Sequence, residues 1–263
     1  MRRYLRLLLI QIRASVTVSM QYRLDFLIDG ALSVFWAVLA LVPLTIVFND
    51  SRPSLAGWSF PQTLVVLGCF TLLKAVLEGA INPSLLAVVA HIRYGTLDFV
   101  LLKPADAQFL VSTARFAPWH LADVAAALGM FGYAFCALGR VPQPAQVLLA
   151  LVLLTAAVLV LYSLWILVIS AAFYVVRIDN LSYLFTSIYD AARWPVDVFS
   201  GALRFVFTFV IPLAVMTTFP AMALLGTLAL RTAALSALGA LCFAAAARAV
   251  WTLSLARYTS ASS

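Results

Sequence analysis

Two pairs of opposite charge stand where charge is expensive. Lys74 and Glu78 lie four residues apart inside the apolar run FTLLKAVLEGA, and Asp190 and Arg193 lie three apart, beside Tyr189, in LSYLFTSIYDAARWPVDVF. Spacings of three and four place both members of a pair on one helical face. Each pair can then neutralise itself in a low dielectric, either locking helices together or lining a path on which a substrate or ion exchanges partners. Asp25 and Asp29 fall near the start of another apolar run, close enough to an interface to be hydrated. None of these groups makes a nucleophile with its base. The chain has no G-x-x-x-x-G-K-[ST], H-E-x-x-H, G-x-S-x-G or C-x-x-C, and its two histidines, His91 and His120, have no nucleophile at a fixed spacing. No catalytic residue and no metal site are expected. The three cysteines stand singly in apolar runs, where they read as small buried hydrophobes.

The elements that carry these pairs must be membrane helices. Hydrophobic residues make up 65% of the 263 positions and charged residues 10%, against about 45–50% and about 25% in soluble domains. No soluble surface can be built from that. The apolar residues gather in runs long enough to cross a hydrocarbon core, which takes about 20 residues of helix. The fold expected is an all-α polytopic membrane protein forming a single domain. The net charge of +7 is scattered singly between apolar runs rather than drawn into a basic stripe. It therefore reads as membrane topology, and nucleic acid is not an expected partner.

Residues 1–22 form an amphipathic helix, with Leu5, Leu8, Leu9, Ile12 and Val16 on one face and Arg2, Arg6 and Arg13 largely opposite. Such a helix lies in the membrane interface with its arginines toward lipid headgroups. Crossings are expected at 24–48, 60–90 (kinked by Pro83), 108–138, 146–176 and 232–254. The fifth is ambiguous. Hydropathy favours 205–226, which would leave 181–199 as a surface helix. The other reading makes 181–199 the crossing and 203–229 a broken, re-entrant outer segment containing Pro212, Phe219 and Pro220. Either way there are six crossings, with both termini on the side richer in Arg and Lys, the cytoplasm.

Residues 91–106, HIRYGTLDFVLLKPAD, form a polar island on that same side. Gly95 frees the backbone, Thr96 is a good N-cap, Asp98 falls in the first turn and Pro104 stops the helix. The spacing predicts a helix of barely two turns whose apolar face, Leu97, Val100 and Leu101, needs cover. The cover is either the protein's own helices and the membrane interface, or another protein.

The basic amphipathic start, the six crossings, the island element IRYGTLDFVLLKP and the late stretch RWPVDVFSGALRFVFTFVIPLAVMTTFPA, followed by Arg231, together resemble a permease subunit of the type-2 class of ATP-binding-cassette (ABC) transporters, mostly exporters. That resemblance implies that Arg93, Gly95, Thr96, Leu97, Asp98, Leu101, Leu102, Lys103 and Pro104 couple to a separate ATPase subunit. It implies that 181–199 is the fifth crossing and that Phe219, Pro220 and Ala221 belong to an outer hairpin. ATP and Mg would be held by the partner, with no cofactor on this chain. A second permease chain, identical or related, completes the assembly in a bacterial cytoplasmic membrane. A self-contained, ion-coupled secondary transporter built on Lys74, Glu78 and Asp190 is the alternative.

Overall fold

The computed structural model describes residues 2–21, 23–48, 54–174 and 185–257. Among them every regular element is helical. The chain is an all-α polytopic membrane protein: five helices are long and apolar enough to cross a bilayer, and a sixth candidate is a pair bent by 70°.

Helix α1 (Arg2–Gln21) buries none of its side chains, as an amphipathic helix lying on a surface should. Gln11 accepts a hydrogen bond from Thr113 at 2.6 Å and Ser15 Oγ accepts one from the Phe116 amide at 3.1 Å, so its polar face is tied down. The first span combines α2 (Arg23–Leu39) and α3 (Val42–Val47), broken where Pro43 enters the first turn of α3. The second runs through α4 (Phe60–Val76) and α5 (Asn82–Arg93), and α4 is the most enclosed helix of the fold, with Leu64–Phe70 all buried. The short α6 (Asp98–Leu101) and α7 (Ala107–Ser112) follow, then α8 (Leu121–Leu138) and α9 (Pro144–Ser170). The expected 108–138 crossing is thus split, because Pro118 opens a new helical start at Pro118–His120.

Prolines set the shape of three helices in the same way. Wide π-type turns occur at Leu77–Ile81, Val206–Val210 and Ala214–Thr218, and each ends two residues before a proline: Pro83, Pro212 and Pro220. A proline has no N–H for the carbonyl four residues back, and its ring collides with that carbonyl, so the helix widens ahead of it. For Pro83 the carbonyl concerned is that of Gly79, and it accepts instead from the Ala117 amide at 2.8 Å. Gly79 has no side chain to block this approach; a Cβ there would lie 3.2 Å from that of His120. The freed bond thereby clamps the start of the third span onto the second.

The last helix, Leu230–Ala256, packs on α9 through Ala233, Ser236, Ala240 and Ala247, with Trp251 below them. Small residues at spacings of three, four and seven let two membrane helices approach closely. Between these helices, residues 185–198 run beside the second span. Phe185 meets Trp165, whose indole donates to Asn82 at 2.5 Å; Tyr189 donates to the Phe70 carbonyl at 3.3 Å; Asp197 accepts from Trp58 at 3.1 Å. The path is therefore antiparallel to α4 and α5, from the level of Asn82 to that of Trp58. The residues just before it, 175–184, where the expected 146–176 and 181–199 crossings meet, lie outside the described residues.

The bent pair, Gly201–Val210 and Ala214–Leu224, turns at Pro212. Its return limb is held by Thr217, which donates to the Ala192 carbonyl at 2.8 Å, and by Thr218, which accepts from the Val196 amide at 3.0 Å. Pro212 and Val215 at the turn face Val160, Ala240 and Phe243, near the middle of the two long helices. Arg140, in the α8–α9 loop, reaches the end of the pair by donating to the Leu225 carbonyl at 3.1 Å.

Candidate functional site

Both charged pairs open onto one cavity of about 550 Å³ between α2, α4, the start of the third span and residues 190–193. Lys74 Nζ lies 3.8 Å from Glu78 Oε1, and the two side chains keep about a third of their surface exposed (34% and 32%). They line a wall of the cavity, and Glu78 sits in the widened turn made by Pro83. Across the cavity Arg193 grips Asp190 twice, donating from Nη2 to Oδ1 and from Nε to the Asp190 carbonyl, both at 2.9 Å. The same guanidinium stands over the Phe70 ring at 5.6 Å, a cation–π contact that fixes its direction. Tyr189 takes a different role from the two residues it accompanies. It is buried, stacked on Phe70 with centroids 5.1 Å apart, and its hydroxyl is spent on the Phe70 carbonyl. It supports the wall from behind.

The sequence pattern did not bring His120 and Asp123 into this group. Asp123 is buried, bonded to His120 Nδ1 at 2.6 Å and accepting from Ser33 at 3.4 Å, and His120 Nε2 lies 3.9 Å from Glu78 Oε2. Their i, i+3 spacing was a usable signal, but only the Gly79–Ala117 clamp places that turn against Glu78. Asp29 also faces the cavity. Nucleophile and base are not combined anywhere in the group, and among the described residues no cluster suits a metal ion. What this arrangement can do is accommodate charge inside a membrane.

The second candidate is the polar island. Helix α5 ends in a tight corner: Gly95 adopts φ +67°, Thr96 N donates to the His91 carbonyl at 2.9 Å and Gly95 N to that of Ile92 at 3.3 Å. This pair of bonds is the Schellman closure, which glycine alone makes without strain. Thr96 does not cap α6. Its hydroxyl turns back to His91 Nδ1 at 2.7 Å, and α6 is a single turn, shorter than expected. Of the apolar face expected to need cover, two residues are covered by the protein's own helices. Leu97 is fully buried (0% exposed) and Val100 packs on the core, while Phe99 (69%), Leu102 (80%) and, less so, Leu101 point away from the protein. The corner at Gly95 rotates α6 so that Leu97 is its anchor.

Beyond Leu102 the segment is tied into the bundle. Pro104 accepts from Arg3 and the Asp106 amide donates to Tyr4 Oη at 3.3 Å. Asp106 caps α7 by accepting from the Phe109 amide at 2.9 Å and takes two bonds from Arg248 of the last helix, at 3.2 and 2.5 Å. Arg248 also donates to Gln108 at 2.5 Å, and Gln108 donates to Tyr162 of α9 at 2.9 Å. The bonded Arg248 guanidinium holds the Asp106 carboxyl below the usual carboxylate range.

Neither the comparison with curated proteins nor that with solved structures returned a match. One family does match, described as ABC-2 family transporter protein, over residues 34–262. The match takes in the polar island, the bent pair and every span, the first (Leu24–Val47) only from residue 34, so that Asp29, Leu32 and Ser33 of the charged cavity lie before it. The chain is a member of the ABC-2 family of transporter membrane proteins.

Proposed function

We propose that this chain is the permease subunit of an ABC exporter, driven by a separate ATPase subunit that docks on residues 93–104. The observation that carries the reading is the exposed apolar edge Phe99, Leu101 and Leu102, held on a rigid corner at one end of the bundle and wired through Asp106 and Arg248 to the last helix. A docking element needs both parts: a surface for the partner and a stiff connection that transmits its movement. Families of this kind leave ATP hydrolysis to the partner, in keeping with the absence of a P-loop here. ATP and Mg would then belong to that subunit, and a second permease chain would face the exposed side of α2.

In this account both termini and the island are cytoplasmic. Residues 181–199 form the fifth crossing, supported by the contacts of Phe185, Tyr189 and Asp197 at successive levels of the second span. Residues 203–229 are the re-entrant outer segment, turning at Pro212 and returning through Phe219 and Pro220. The charged cavity lies on the substrate path. Two single cysteines in an otherwise cysteine-free chain test this arrangement. Ser200→Cys, chosen over Gly201 because that glycine has φ +55°, should react with an impermeant thiol reagent outside intact cells. Leu102→Cys should react only in inverted vesicles, and only once the ATPase has been stripped off. Labelling of Leu102→Cys from outside, or equal labelling with the ATPase bound, would reject the reading.

A further inference from the structure

We propose that the charged cavity binds an amphiphilic cation, so that the molecule carried through it bears a positive charge on an apolar body. The inference rests on the permease reading for the word "carried", and on the cavity alone for the charge. Four carboxylates, Asp29, Glu78, Asp123 and Asp190, face two permanent cations, Lys74 and Arg193, and one imidazole, His120. Counted with every carboxylate ionised, the lining carries an excess of two negative charges with the imidazole neutral and of one with it protonated. The cations are already engaged: Arg193 by Asp190 and the Phe70 ring, Lys74 by Glu78. Asp123 is engaged by His120 and Ser33. Asp29 is not. Among the described residues it makes neither an ion pair nor a hydrogen bond, although it lies within the first span and faces the cavity. Asp29 is half-buried on the cavity wall, so its carboxylate is open to a cation that enters.

The rest of the wall suits the body of such a molecule. Trp36 and Trp119 present aromatic rings to the same space, together with Leu32 and Leu39, while the Phe70 ring is already taken by Tyr189 and Arg193. Ring faces attract desolvated cations, most of all bulky ones whose charge is spread over carbon. An anion of the same size would meet the same rings but an adverse field. The cavity volume, about 550 Å³, falls in the range of small-molecule sites, roughly 300–1,000 Å³.

Two probes of nearly identical shape and opposite charge separate the alternatives: tetraphenylphosphonium and tetraphenylborate. Binding of each is measured to the full chain in phosphatidylcholine nanodiscs without any ATPase, with empty nanodiscs subtracted. Saturable phosphonium binding is expected, with borate weaker by about tenfold or more. Asp29→Asn should weaken phosphonium binding by about tenfold, the effect of losing one unscreened charge contact, and it breaks no contact within the fold. Trp36→Ala should weaken it as well, since the ring lines the space without being buried. Equal binding of the two ions, no saturable phosphonium binding, or unchanged binding in both variants would overturn the proposal. Because no ATPase is present, such a result would leave the docking of residues 93–104 standing. Likewise, failure of docking would leave cation binding to be judged by itself.

Discussion

Phe99→Asp and Leu102→Asp should leave the amount of permease in the membrane unchanged and strip it of the proposed ATPase subunit. Both side chains are largely exposed in the isolated chain, so a carboxylate in either place meets water and the fold loses nothing. Once a partner covers the edge, the same carboxylate must be buried. Each substitution then removes an apolar contact of roughly 1.5–3 kcal/mol and adds the larger cost of an unpaired buried charge. Association should fall by well over about tenfold per site. Leu97→Asp separates docking from folding. Leu97 is fully buried, so its replacement puts a charge into the protein's own core and should lower the amount of folded permease itself. Quantifying permease and co-purifying ATPase side by side checks all three. Wild-type ATPase recovery with Phe99→Asp and Leu102→Asp would remove this edge from the interface.

Arg248→Ala should produce the complementary phenotype, an ATPase that binds and hydrolyses while transport falls by about tenfold or more. The Asp106–Arg248 pair is partly exposed, with 35% and 46% of the side chains accessible, so little of the chain's stability depends on it. Its value lies in geometry. Two parallel bonds from one guanidinium fix Asp106 against the last helix, while the same carboxylate caps α7 immediately after the proposed docking segment. On the proposed reading, movement of α6 would thereby be passed to α7 and to Leu230–Ala256 together. Arg248→Lys should recover only part of the loss, because a single ammonium cannot reproduce the fork.

The pH dependence of this link has a definite sign. Because the Asp106 carboxyl is held below its ordinary range, the pair contributes above the unfolded aspartate pKa of about 4 and is lost as pH falls through the lowered folded value. Between pH 6 and 8 this link should add no pH dependence to coupling. Full transport in Arg248→Ala would show that motion reaches the bundle by another route.

What the sequence made legible depended on how local each cause was. Pro83 announces a break because its missing N–H and its ring act four residues back, and the widened turn at Leu77–Ile81 follows. Gly95 announces a helix end for the same kind of reason, since a left-handed residue closes a helix within two positions. Lys74 with Glu78, and Asp190 with Arg193, were readable as pairs because three- and four-residue spacings are properties of any helix. That both pairs share one cavity was not readable, since it depends on contacts such as Tyr189 with Phe70, 119 positions apart. Nor was the part played by His120 and Asp123, which is set by the bond from Ala117 to Gly79. Which residues of α6 face outward was not readable for a related reason. In a single turn the face presented is decided by the corner at Gly95 and by the anchoring of Pro104 and Asp106, not by periodicity. Thr96 had a cap's side chain but found a nearer partner in His91. Hydropathy alone favours 205–226, because it scores Asp190, Arg193 and Asp197 as bare charges and does not register that Arg193 pairs with Asp190 or that Asp197 is met by Trp58, 139 positions away.

The central claim is that a separate ATPase moves this permease by gripping residues 93–104, and one measurement meets it without knowing the substrate. A photo-crosslinking amino acid is placed at position 102 in one chain and at position 141 in another; Val141 is as exposed as Leu102 (86% against 80%) but lies in the α8–α9 loop at the opposite end of the bundle. After irradiation in intact cells the adducts are identified by mass spectrometry. The account predicts a P-loop ATPase joined to position 102 and none joined to position 141. An ATPase captured at 141 and not at 102 would contradict it. Position 102 crosslinking only to lipid or to the permease itself would contradict it as well, and would leave an ion-coupled carrier as the better description.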